Sequence, residues 1–268
     1  MRRHRRLTLA IALAAALAAA TGVLAQRRRG FGFGAPLRMA TAESFDGGFN
    51  FCRIIFSQSR DGDGANWSVD YPRADVNLSI RLAELTRTRI SRSPAGEPNH
   101  VLLRLTDDLM FRCPFVMMTE VGSAYFSPEE AARLREYLLK GGFLWADDFW
   151  GDYAWEIWAR EIGKVFPPSE FPIVDLPPGH PLFRGQFEIA KVPQIPSIGH
   201  WYGSGGGTSE RFDSTEPHAR AILDRSGRIM VFITHNTDFG DAFEQEAADP
   251  RYFYAFAVDG YAFGINVL

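Results

Sequence analysis

Apolar residues along this chain alternate between two spacings. Phe51 to Phe56 (FCRIIF), Val101 to Leu105 (VLLRL), Phe115 to Met118 (FVMM) and Phe143 to Ala146 (FLWA) are short, nearly unbroken apolar runs. They are too short for helices, and their composition suits strands covered on both faces of a parallel sheet. Between them apolar residues recur at helical spacing, at Leu78, Leu82 and Leu85, at Ala131, Leu134 and Leu138, and at Trp155, Trp158 and Ile162. Asp75 is expected to cap the first of these helices. The second carries a fuller signature, with Ser127 and Glu130 as a capping box, Pro128 at the first helical position and Gly141 as its stop. The third is expected over Tyr153 to Val165. The order strand, helix, strand, strand, helix, strand predicts an α/β fold, doubly wound or flavodoxin-like, with a mostly parallel sheet and helices on both faces.

From Phe166 to Glu216 the composition shifts to Pro and Gly, and an irregular covering region with short strands is expected. His180, between prolines in PPGHPLF, reads as a loop-fixing residue. The tract from Gly203 to Gly207 has no Lys-Ser/Thr after it, so it reads as a mobile loop and not as a phosphate cradle. Ala219 to Leu223 and Arg228 to Thr234 flank DRSG and predict a hairpin that rejoins the sheet.

The ends add a compartment. RRHRR, an apolar run from Leu7 to Leu24 and the small residues before Gln26 read as a secretory signal over residues 1–25, cleaved after Ala25. The competing reading is an anchor, since the stretch from Leu7 to Ala25 could just span a bilayer of ~30 Å. Residues 26–47 then form a flexible basic lead, and residues 48–268 the α/β domain. Net charge is −3 with the leader included, and more acidic without it. A nucleic-acid partner is therefore not expected, nor a membrane span after cleavage. Export would permit a disulfide, but Cys52 and Cys113 show no framework spacing, and buried free thiols are the plainer expectation. No CxxC or HExxH pattern points to zinc.

Candidate chemistry gathers where strands end. Asp70 and Tyr71, Asp107 and Asp108, Glu120, Asp147 and Asp148, and His235 with Asp238 all follow predicted strands. In a parallel sheet these ends share one edge, where ligands of open α/β sheets bind. Crowded carboxylates there would raise one another's proton affinity and serve as general acid or base, or would gather a divalent cation. Asp147, Asp148, His235 and Asp238 are thus the catalytic candidates. No other cofactor is expected. Helix capping at Asp152 onward is the plainer role for one aspartate of the 147–148 pair. Trp67, Asp70, Tyr71, Glu120 and Trp150 are candidate ligand contacts, because aromatic faces beside carboxylates suit carbohydrate. Core packing explains the same aromatics.

Taken together, FCRIIF, NWSVDYPRADVNLSIRLAELT, FSPEEAARLREYLLKGGFLWADDFW, LPPGHPLF and GRIMVFITHNTDFGDAFE resemble the bacterial domain of unknown function DUF4159. Through the helix, GG turn, strand, HP motif and GR strand, the plan is similar to class I glutamine amidotransferase-like proteins of the ThuA type. That resemblance implies an amidotransferase-like fold and work at the cell envelope, in company with envelope proteins. It also leads one to expect a few residues beyond GINVL. A nucleophilic cysteine is implied in the elbow after the strand that here ends ADDFWGD, where this chain has Asp147 and Asp148. The sequence therefore argues against cysteine-based glutamine hydrolysis. Two functions follow as expectations: a noncatalytic exported domain binding a ligand or protein at its carboxyl edge, or a hydrolase acting on carbohydrate or envelope polymer through strand-end carboxylates.

Overall fold

The computed structural model describes residues 37–268. In chain order the elements are β1 (Phe51–Ile55), β2 (Ser57–Gln58), α1 (Arg73–Leu85), β3 (His100–Arg104), β4 (Phe115–Thr119), β5 (Ala124–Tyr125), α2 (Pro128–Leu139) and β6 (Phe143–Asp147). There follow α3 (Gly151–Val165), β7 (Ile173–Asp175), α4 (Ile198–Gly203), β8 (His218–Leu223), β9 (Ile229–His235) and α5 (Phe239–Glu244). The chain closes with α6 (Pro250–Tyr252), a π turn over Phe253–Ala257 and α7 (Val258–Val267). Among the described residues, no helix is long and apolar enough to cross a membrane.

Seven strands form one sheet in the order β3-β1-β4-β6-β9-β8-β7. The first five run parallel, while β8 is antiparallel to β9 and β7 to β8. The expected hairpin is therefore present, and it makes the sheet mixed. β2 and β5 pair separately. Side chains alternate across a strand, so each strand feeds two cores. Ile54, Val116, Met118, Leu144 and Ile233 pack with α2 and α3 on one face. Phe51, Met117, Trp145 and Phe232 pack with α1, α5 and α7 on the other. Each such large apolar side chain contributes roughly 1.5–3 kcal/mol through burial.

The capping box predicted for α2 is present in both directions: the Ser127 hydroxyl accepts from the Glu130 amide at 3.2 Å, and the Glu130 carboxylate accepts from the Ser127 amide at 2.8 Å. Gly141 ends that turn at φ 109°. Nδ1 of His180 accepts the Leu182 amide and starts the short turn that follows it.

Three expectations change. Asp75 does not cap α1, which starts at Arg73 behind Pro72. Its carboxylate instead meets the guanidinium of Arg53, a cation placed in mid-strand on the α1 face, and neither side chain touches solvent. A buried charge requires a partner, and this need overrides the cap. Cys52 and Cys113 are not free thiols but a disulfide across 61 residues. Cys52 lies in β1 and Cys113 just before the neighbouring strand β4, a proximity that sequence spacing does not reveal. Finally, the expected lead is docked from residue 37 onward: Met39 bridges Leu102, with Leu102 N donating to Arg38 O at 2.8 Å and Ala40 N to Leu102 O at 3.0 Å. The signal segment and residues 26–36 lie outside the described residues.

Candidate functional site

The carboxyl ends of β1, β4, β6 and β9 open onto one crevice, where the neighbours β1 and β4 are followed by strands on opposite sides, β3 and β6. Asp70 is carried there by the turn that leads into α1. That turn is held from below, because Arg53 Nη1 donates to the carbonyls of Trp67 at 3.1 Å and Val69 at 3.0 Å while its other nitrogens grip Asp75. Glu120 follows β4, Asp148 follows β6, and Asp238 follows β9 as the N-cap of α5, accepting the Asp241 amide at 2.7 Å.

Asp70, Glu120 and Asp148 all adopt left-handed backbone, with φ of 62°, 55° and 57°, as does Asn236 at 61°. Such residues are uncommon and concentrate at functional sites. In β6 the conformation separates two adjacent carboxylates. Asp147 completes the strand and accepts the amides of Phe239 at 2.9 Å and Gly240 at 3.2 Å, with the Thr234 hydroxyl donating to its other oxygen. Asp148 breaks the strand alternation and lines the crevice, where Trp150 Nε1 donates to it at 3.2 Å and the Thr119 hydroxyl at 3.4 Å. Neither aspartate of the 147–148 pair caps the helix at Asp152, whose N-cap is Trp150; Asp147 instead accepts the first amides of α5.

The crevice holds a cavity of about 190 Å³. Among the described residues, seven that line it are acidic and one, Arg211, is basic. Arg211 is already engaged by Asp63 at 3.2 Å. At its centre one carboxylate oxygen from each of Asp70, Asp148 and Asp238 lies within 4.8 Å of the others. A second grouping of equal reach joins Asp70 to Asp241 and Glu244. Asp70 is only 8% exposed, and its buried Oδ2 has no hydrogen-bond partner among the described residues.

Burial pushes Asp70, Asp148 and Asp238 well above the ordinary carboxylate range. Neighbouring carboxylates add to the effect, chiefly Asp241 on Asp70, Glu120 on Asp148 and Asp148 on Asp238. Burial also raises Glu120 and Asp241 to about 7. Asp147 rises to about 7 through burial, despite the donors that hold it.

Of the residues expected from sequence, Asp70, Glu120, Asp148, Trp150 and Asp238 line the cavity. The others lie elsewhere. Asp147 is buried behind the cavity as a cap. His235 does not line it: the imidazole packs on Phe149, Trp155 and His218, with Nε2 near the Gly151 carbonyl at 3.0 Å and Nδ1 near Arg220 at 3.2 Å. It continues the alternation of β9, in which Asp238 takes no part. Trp67 packs against Tyr71, which in turn packs on His100, so neither forms an aromatic wall.

Sequence reading missed Glu210, Ser197, Asp241 and Glu244. Glu210 and Ser197 come from the irregular region, where Ser197 N donates to Glu210 at 2.6 Å. Nothing periodic marks them. Asp241 does carry a signal, as an acidic residue three positions after an Asp N-cap.

A comparison with curated proteins finds no match. Residues 53–268 match the family described as Domain of unknown function (DUF4159), a span that contains every carboxylate of the crevice, and the chain belongs to that family.

Proposed function

We propose that this is an exported, noncatalytic ligand-binding domain whose carboxyl-edge crevice takes a positively charged ligand. One observation carries the reading: acidic side chains from four strand ends, Asp70, Asp148 and Asp238 among them buried, meet in one cavity, and the single basic residue lining it among the described residues is already paired. Like charges so close in a low-dielectric site repel, and a cation relieves that repulsion. The volume of about 190 Å³ also falls below the ~300–1,000 Å³ usual for small-molecule sites, which suits a compact cation better than a sugar ring.

Renumbered among themselves, the five parallel strands run 2-1-3-4-5, the flavodoxin-like order, and such sheets bind at their switch point. This supports a flavodoxin-like fold and, more remotely, an amidotransferase-like one. The Cys52–Cys113 cross-link supports an oxidising compartment, periplasmic or secreted. A hydrolase acting on carbohydrate or envelope polymer draws less support, because Trp67, Tyr71 and His235 lie away from the carboxylates. The test is a thermal-shift comparison of metal salts, polyamines, neutral sugars and anions, on the wild type and on Asp148→Asn. Stabilisation by cations alone, lost in the variant, is expected. A response to sugars that persists in the variant would refute the reading.

A further inference from the structure

We propose that Asp70, Asp148 and Asp238 form the binding site for one hard divalent cation, of the calcium, magnesium or manganese class, with Asp70 as its central ligand. The inference rests on the preceding reading that the crevice takes a cation, and it names the cation's class and its ligands.

Reach comes first. Oxygens bound at roughly 2.0–2.6 Å to one ion are at most ~4–5 Å apart. The three carboxylate oxygens lie within 4.8 Å of one another, so a single ion can touch all three. The second observation is the Oδ2 atom of Asp70, a buried acceptor with no donor among the described residues. Leaving such an atom unsatisfied is costly, more so when it is charged. Its surroundings leave room for that oxygen: a Cβ on Gly240 would sit 2.2 Å from Asp70 Oδ2 and 3.3 Å from Asp238 Oδ1, so α5 offers bare backbone where these oxygens approach. Third, no histidine or cysteine among the described residues lines the cavity. An all-oxygen donor set suits hard cations and not zinc or copper.

The competing grouping of Asp70, Asp241 and Glu244 is weaker for a physical reason. Glu244 lies in the field of the Arg73 cation, which competes with an ion for its carboxylate. Asp70, Asp148 and Asp238 are all buried, whereas Glu244 is partly open to solvent. The ion therefore belongs with the buried three.

The test uses the mature protein stripped with EDTA and dialysed, titrated at neutral pH with CaCl2, MgCl2 or MnCl2 by calorimetry and thermal shift. Spermidine serves as a non-metal cation. We expect one ion per chain, a rise in melting temperature, and a loss of affinity of about tenfold or more in Asp148→Asn and in Asp238→Asn. Glu244→Gln should leave the affinity unchanged, with circular dichroism confirming that each variant is folded. If spermidine stabilises and no metal does, the metal site is refuted while the cationic crevice stands. If neither does, both fall. Binding that survives Asp148→Asn and Asp238→Asn but disappears in Glu244→Gln would place the ion in the other grouping and overturn the assignment.

Discussion

Asp147 and Asp148 are adjacent in sequence and opposite in role, the first holding the amides of Phe239 and Gly240 and the second facing a cavity shared with Asp70 and Asp238. Substitution should separate them. Asp147→Ala removes acceptors from two buried amides and the partner of Thr234, and should cost about 2–3 kcal/mol, read from urea denaturation. Asp148→Asn keeps an acceptor for Trp150 and removes one of several crowded charges. In EDTA it should raise stability by about 1 kcal/mol, within the range of relieved functional sites. Equal losses in both variants would show that the pair acts as one structural unit.

The Arg53–Asp75 pair lies wholly inside the protein and also fastens the turn bearing Asp70. Removing one partner of such a pair typically costs about 3–5 kcal/mol, because the other is left charged and buried. Arg53→Met should show that loss in chemical denaturation and should also abolish the thermal response to cations. A joint Arg53→Met, Asp75→Leu variant should regain much of the stability, since no unpaired charge remains.

His235 gives a pH dependence of definite sign. Burial, together with the nearby positive charge of Arg220, lowers its pKa to about 4. In the unfolded chain the imidazole titrates near ~6.5, so the unfolded state binds more protons throughout the window between these values. Stability from this residue is complete above about pH 6.5 and declines as pH falls toward about 4, by roughly 3 kcal/mol in all. Urea midpoints measured across that window should slope less steeply in His235→Gln than in the wild type.

The Cys52–Cys113 bond closes a loop of 61 residues between β1 and the turn that precedes β4. In the chain-entropy account a loop of this length is worth about 4 kcal/mol, acting on the unfolded state. Reduction with a permeant thiol under mild denaturant should lower the unfolding midpoint accordingly. A Cys52→Ala, Cys113→Ala variant should match the reduced protein and be insensitive to reductant.

Much of the fold was legible because it is written locally. The apolar runs at β1, β3, β4 and β6, the capping box at Ser127 and the stop at Gly141 each state their element within a few residues. The carboxyl-edge position of Asp70, Glu120, Asp148 and Asp238 followed from strand ends alone. What escaped was set by tertiary demand. Asp75 answers a charge on another element, Cys52 and Cys113 meet through sheet order, and Glu210 arrives from a segment without period. His235 and Asp238 are close in sequence, yet strand alternation and the turn after β9 send the two side chains to different environments, which sequence distance does not show.

The docked segment at residues 38–40 occupies the outer flank of β3, a five-residue strand that would otherwise present bare amides and carbonyls to solvent. At the far side the sheet ends in β7, only three residues long. Both margins are thus poor templates for strand addition, and the first described residues act as a guard against edge-to-edge polymerisation. A chain trimmed to begin at the first residue of β1 would keep every crevice carboxylate and lose that guard.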